Sequence, residues 1–201
     1  MSEWHKALLL ALMTALPAWA GWTPLPSWQY IEEVATQRCG VCHGADGQGN
    51  NPMFPKLAGQ NAGYLELHML SFQRGTRSGA VMFYQLSDLS AQDIAALARH
   101  FAGIKRRPAQ VSATVSEAGS RLYLQPASNN ATACAECHGG DGRGSDTMPR
   151  LAGQHADYLA NQLNRFRSGK RQAGQTPEHP RAAHLSDDEV ITLSKYLSTL
   201  N

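Results

Sequence analysis

"CGVCH", residues 39–43, and "CAECH", residues 134–138, are the stretches on which the reading of this chain turns. Between them they hold all four cysteines of the 201 residues, Cys39, Cys42, Cys134 and Cys137, and each pair is followed by a histidine, His43 or His138. C-x-x-C-H is the attachment signature of c-type haem. The two thiols form thioethers with two vinyl groups, the spacing spans about one helical turn, and the histidine lies under the iron as its proximal ligand. A zinc site made from all four cysteines requires the pairs to converge and leaves both histidines without a role. A thioredoxin-like redox motif expects alternating strands and helices, and no strand pattern runs through the chain. Two covalently attached haem c groups are therefore the expected cofactors.

Working outward, the likeness between the two halves extends well past the cysteines. "FPKLAGQNAGYL" (54–65) aligns with "MPRLAGQHADYL" (148–159), and "SFQRGTRSG" (71–79) with "RFRSGKRQA" (165–173), both at an offset of 94. "LSAQDIAALARHF" (89–101) aligns with "LSDDEVITLSKYL" (185–197) at an offset of 96. A unit of this length is too long for a solenoid repeat and reads as two homologous domains with one haem each. Each half looks helical. "SWQYIEEVATQRC" and "VSEAGSRLYLQ" predict short helices before the cysteines, and Tyr64–Arg74 and Tyr158–Arg167 have helical spacing. In the last helix of each half, Ser90 with Asp93 and Ser186 with Glu189 form N-terminal capping signals. Ile94, Leu97, Ala98 and Phe101 make one apolar face, and Val190, Leu193, Tyr196, Leu197 and Leu200 the other.

The chain opens "MSEWHKALLLALMTALPAWAGW", with a lysine before an apolar run from Ala7 to Leu16, a break at Pro17 and small residues before Gly21. Residues 1–20 read as a cleaved secretory signal peptide, since the run is shorter than the ~20 apolar residues that span a bilayer. The expected domains are 21–104 and 114–201, joined by a polar linker at 105–113. Net charge is +2. It divides as −1 over residues 21–104, +3 in the "KRR" at 105–107 and 0 over 108–201. That balance gives no case for nucleic-acid binding, and no set of acid, base and nucleophile groups suggests an enzyme.

The tandem "CxxCHG.DG.G" motifs, the doubled "P[KR]LAGQ....YL" and the doubled "LS..[DE]" before the last helix resemble the dihaem cytochrome c4 family across nearly all of the chain beyond residue 20. The resemblance implies an all-α fold of two tandem cytochrome c-type domains, each enclosing one covalent haem c, with the haems facing each other across the interface. It implies an electron carrier of the bacterial periplasm that serves respiratory or dehydrogenase partners, commonly towards a terminal oxidase, and is soluble or loosely held at the membrane surface. It places Met82, on the loop before the last helix, as sixth ligand of the first iron, with Met53 and Met69 as the other methionines at hand. Pro55 and Pro149 match the proline whose carbonyl orients the proximal histidine. Tyr64, Tyr158, Lys56 and Arg150 fall where contacts to the haem edge or its carboxylates are expected.

The second half departs from this pattern. The position matching Met82 is Glu178, and the next residue is His179. His179, shifted by one residue, is the first candidate for the second iron's sixth ligand. His184 is the alternative, Met148 and His155 are further candidates, and an open iron is the remaining possibility. Histidine in place of methionine removes the thioether's preference for Fe(II) and lowers the second potential. An open iron instead points to a catalytic or ligand-binding haem, or to an electron-accepting subunit of a periplasmic dehydrogenase.

Overall fold

The computed structural model describes residues 25–109, 116–126, 132–171 and 179–201. The predicted signal peptide, residues 110–113 of the predicted linker, and Glu178 lie outside them. Among the described residues every regular element is a helix, and none is long and apolar enough to cross a membrane.

In the N-terminal half, the Ser27 hydroxyl accepts from the Tyr30 amide and starts α1, Trp28–Glu33. The winding widens to a π-helical stretch, Val34–Cys39, and tightens again as α2, Gly40–His43. The first cysteine pair therefore ends one continuous helical rod. Next come α3, Ala62–Gln73, α4, Ala80–Leu86, and α5, Ala91–Gly103. Both predicted capping boxes are present: Ser90 with Asp93 opens α5, and Ser186 with Glu189 opens α9, Asp187–Thr199. The C-terminal half further contains α6, Glu117–Leu124, α7, Cys134–His138, α8, Ala156–Arg167, and a 3₁₀ turn, Pro180–His184. Met82 thus sits on a helix rather than a loop, whereas the end of the matching stretch in the second half is a 3₁₀ turn with a proline at its start.

The apolar faces predicted for the last helices are buried, except that Leu200 is half-buried just past the end of α9, and each face belongs to its own core. Ile94, Leu97, Ala98 and Phe101 of α5 pack with Ile31, Val34, Leu65 and Leu86. Val190, Leu193, Tyr196 and Leu197 of α9 pack with Tyr123, Leu159 and Leu185. The two clusters share no residue, as expected of two domains with separate cores.

The domains meet through the repeated "LAGQ" segments, and each bond recurs with the domains exchanged. Gln154 Oε1 accepts from the Lys56 amide at 2.9 Å, and its Nε2 donates to the Lys56 carbonyl at 3.0 Å. In mirror fashion, Gln60 Oε1 accepts from the Arg150 amide at 2.7 Å, and its Nε2 donates to the Arg150 carbonyl at 3.0 Å. This self-complementary pattern is that of a two-fold interface, built here within one chain. Arg106 lies on the same axis, against both Gly59 and its counterpart Gly153. A Cβ at Gly59 would come within 2.5 Å of Arg106 Cγ, and one at Gly153 within 2.8 Å of its Nη2. Arg107 donates its amide to Gln48 Oε1 and pairs with Asp46. Two of the three cations in the "KRR" stretch therefore tie the connection down.

Gly119 of α6 packs against Tyr196 of α9, where an added Cβ would lie 2.3 Å from the Tyr196 Cβ, an atom that cannot swing away. Gly119→Ala is expected to destabilise the C-terminal domain by about 1–3 kcal/mol through overpacking. Gly103→Ala, with nothing within 4 Å of the new atom, should leave the urea midpoint unchanged or slightly raised.

Candidate haem-binding site

His43 and His138, the histidines expected from the sequence to be proximal ligands, are held in the same way. His43 is buried, and its Nδ1 lies 2.9 Å from the Pro55 carbonyl. His138 is buried, with Nδ1 3.1 Å from the Pro149 carbonyl. A carbonyl can only accept, so in each ring Nδ1 carries the proton and Nε2 is the lone-pair nitrogen, as a metal ligand needs. Burial lowers the pKa of both rings, against the opposing effect of the proline carbonyls. Both are therefore neutral imidazoles. Burial also pushes the Cys39 thiol up to about 11 and raises that of Cys134. No disulfide closes either cysteine pair, so the sulfurs of both pairs are available for thioether attachment.

These groups line one cavity of about 1240 Å³ that reaches into both domains. That exceeds the ~300–1,000 Å³ common for a single small molecule. Cys39, Cys42, His43 and Met82 face it from the first domain, and Cys134, His138 and His179 from the second. Cys137 is exposed and lies outside the lining.

In the second domain two imidazoles face each other. The His138 and His179 ring centroids are 5.9 Å apart and the rings are inclined by 24°. That separation leaves space between the two rings, and both imidazoles would be able to hold a haem iron there. Phe166 packs on the other contact of the His179 ring, centroid to centroid 4.5 Å. Burial first, then His138 and Arg171, hold His179 down at about 4, so it too is neutral. The other candidates lie elsewhere. His184 is exposed at the end of the 3₁₀ turn. His155 donates from Nε2 to the Gly49 carbonyl at 2.8 Å across the domain interface. Met148 is not among the lining residues, and its carbonyl accepts from Asn61 Nδ2 at 2.7 Å. In the first domain Met53 is largely exposed, while Met69 and Met82 are half-buried against the core.

Two arginines at the interface were not singled out by the sequence reading. Arg77 donates to the Tyr158 hydroxyl at 3.4 Å, and its counterpart Arg171 donates to the Tyr64 hydroxyl at 3.1 Å. Arg77 stacks on Phe72 at 4.4 Å, and Arg171 on Phe166 at 4.5 Å. Both line the cavity, Arg171 is buried, and its Nε has no partner. Burial pushes the Tyr64 phenol up, but the two guanidiniums outweigh it and leave it lowered. Burial and the same two cations bring His68 down to about 3. Among the lining residues Glu33 is the one carboxylate, so the cations at the interface face a cavity poor in anions. A buried cation normally has a counter-charge; a prosthetic group that carries carboxylates would supply it. The only signal in the sequence was position, since both arginines fall at the same place in the repeat. Lys56, marked from the sequence for a contact to the prosthetic group, donates Nζ to the Gly153 carbonyl at 2.8 Å.

The family model described as cytochrome c matches this chain twice, over residues 29–104 and 116–201. Cytochrome c4 of Azotobacter vinelandii is 37% identical over 177 residues, covering 81% of this chain and 84% of the relative. The chain belongs to the cytochrome c4 family. The crystal structure of reduced recombinant cytochrome c4 from Pseudomonas stutzeri superposes with a TM-score of 0.79 at 31% identity, covering 87% of this chain and 99% of that one. A thiosulfate dehydrogenase electron acceptor of Stutzerimonas stutzeri (strain A1501) is 35% identical, covering 98% of this chain and 95% of the relative. As a member of the cytochrome c4 family, the protein carries two covalently attached haem c groups and transfers electrons, and it is not an enzyme. The fold expected from the sequence, two tandem cytochrome c-type helical domains, is the one observed.

Replacing either interface glutamine leaves a backbone amide and carbonyl of the other domain without partners, at about 1–3 kcal/mol for each unsatisfied group. Gln60→Ala with Gln154→Ala is expected to part the domains while each keeps its haem. Small-angle scattering should then give a larger radius of gyration with an unchanged visible spectrum.

Proposed function

We propose that this chain is a periplasmic dihaem electron relay whose two irons have different ligands: His43 and Met82 at the first, His138 and His179 at the second. The facing rings of His138 and His179, 5.9 Å apart and inclined by 24°, carry this reading. His184 is too exposed for the role. Residues 1–20 direct export and are removed, leaving domains at 21–104 and 114–201 with a connection at 105–113. Bound haem supplies one-electron Fe(II)/Fe(III) chemistry. The residues around it set its potential and keep water away. A thioether favours Fe(II) and a second imidazole lacks that preference, so the C-terminal site lies lower. Electron transfer then runs downhill from the C-terminal domain to the N-terminal one. Arg77 and Arg171, with Tyr64 and Tyr158, hold the haem carboxylates at the interface and favour the reduced state of both irons by their charge.

The partners are redox proteins: an electron donor at the low-potential side and an acceptor at the high-potential side, such as a terminal oxidase. A role as electron-accepting subunit of a periplasmic dehydrogenase is favoured by one observation, the full-length likeness to a thiosulfate dehydrogenase electron acceptor. The basic stretch at 105–107 is largely engaged within the molecule, so loose association with a membrane surface would have to use other residues.

A redox titration followed by low-temperature EPR tests the ligand assignment. The second couple is expected below the first, by tenths of a volt within the ~0.8 V range that axial ligands command. His179→Ala should turn one haem high-spin, Met82→Ala the other, and His184→Ala neither. A second haem that is already high-spin in the unmutated protein would sink the relay and favour a ligand-binding site. Arg171→Gln removes a buried cation, so the potentials should fall, by on the order of 60 mV for a tenfold change in a one-electron equilibrium.

A further inference from the structure

The two haem sites open differently to the outside. Around the mouth of the N-terminal site, Tyr30, Val41, Met53 and Val81 line the cavity and are also exposed, Val41 by 81% and Val81 by 62%. Phe83 and Tyr84 continue this surface along α4, with Tyr84 72% exposed. Helix α4 buries Leu86 and half-buries Met82, yet its outer face is also apolar. A helix that is apolar all round is normally covered by something.

The C-terminal site has no such rim. The positions matching Val41 and Met53 are Glu136 and Thr147, both exposed. Among the described residues of that half, the exposed large apolar side chains are Leu124 and Ile191, and neither lines the cavity. Residues 172–178, "QAGQTPE", contain no large apolar residue.

The charges at the N-terminal mouth are mostly tied up. Arg38 is held by both carboxylate oxygens of Asp88, at 2.7 and 3.0 Å. Lys56 and Arg77 bond across the domain interface, which leaves Glu33 among the lining residues of that half. A partner with a charged contact face would lose hydration there without finding counter-charges. An anionic lipid surface would find no cationic cluster to attract it. An uncharged apolar face matches what the rim offers.

We propose that the rim of the N-terminal site is the docking face for a redox protein whose own cofactor edge is framed by uncharged apolar side chains. The C-terminal site does not serve this contact. Each encounter moves one electron from the reduced N-terminal site to the oxidised centre of the partner, with no bond or proton changing place. The inference rests on the dihaem carrier reading and adds which domain meets a neutral partner.

The test uses the full-length holoprotein, reduced and mixed by stopped flow with an oxidised blue-copper protein whose copper edge opens on an uncharged apolar face. Hexacyanoferrate(III), which needs no protein contact, is the comparison oxidant. Phe83→Glu and Tyr84→Glu should each slow the protein reaction about tenfold, equivalent to ~1.4 kcal/mol. They should slow hexacyanoferrate less than about threefold, Thr147→Glu should change neither, and salt should have little effect on the unmutated rate. Equal slowing by Thr147→Glu, no slowing by the two rim variants, or a steep salt dependence would overturn the proposal. A stable dimer in sedimentation that Tyr84→Glu dissolves would also overturn it, by assigning the face to a second copy of the chain. Haem content and EPR of the same samples report on the dihaem reading separately, so its failure shows there and a failure of docking shows only in the rates.

Discussion

The constraint on which the rest depends is the reciprocal bonding of Gln60 and Gln154 to the backbones of Arg150 and Lys56. Each glutamine satisfies an amide and a carbonyl of the other domain, and it does so one residue after the proline whose carbonyl holds a proximal histidine. The clasp therefore fixes the two histidine supports relative to each other. Because the repeat presents the same segment twice, the same short motif serves as both donor and receiver. Arg106, wedged against Gly59 and Gly153, fills the axis between them with a side chain from the connection itself.

That geometry brings Arg77 and Arg171 to the cavity at the interface, each on the tyrosine of the other domain. A buried and a half-buried guanidinium are costly without an anion. Their stacking on Phe72 and Phe166 offsets a part of that cost, and under the proposed function the carboxylates of the prosthetic groups would offset more of it. The interface is therefore an electrostatic element of the redox sites and not only a joint between two folded units.

Symmetry of the backbone contrasts with asymmetry of the outer faces. The core helices, capping boxes and interface bonds recur in both halves, since each half must solve the same packing problem. The segment before the last helix is under no such common demand. In the first half it forms α4, with Met82 turned to the cavity and an apolar outer face. In the second it ends in a 3₁₀ turn with His179 facing His138. Under the proposed ligands and docking face, such differences in one segment of each repeat would give two copies of one fold separate redox and docking properties.

The sequence by itself determined the two C-x-x-C-H segments, the duplicated helical architecture and the two capping boxes. All of these rest on local spacing: one helical turn between cysteines, three residues between cap and acid, apolar positions on one helix face. It offered His179, His184 and a few other residues as candidates for the second iron but could not show which of them lies beside His138, because that depends on which side of a turn meets a ring 41 residues away in the chain. The roles of Gln60, Gln154, Arg77 and Arg171 were invisible for a related reason. Their partners lie in the opposite domain, and a repeat shows that a residue recurs without showing what it touches. Only the tertiary structure, by setting the two domains about a shared axis, decided those contacts.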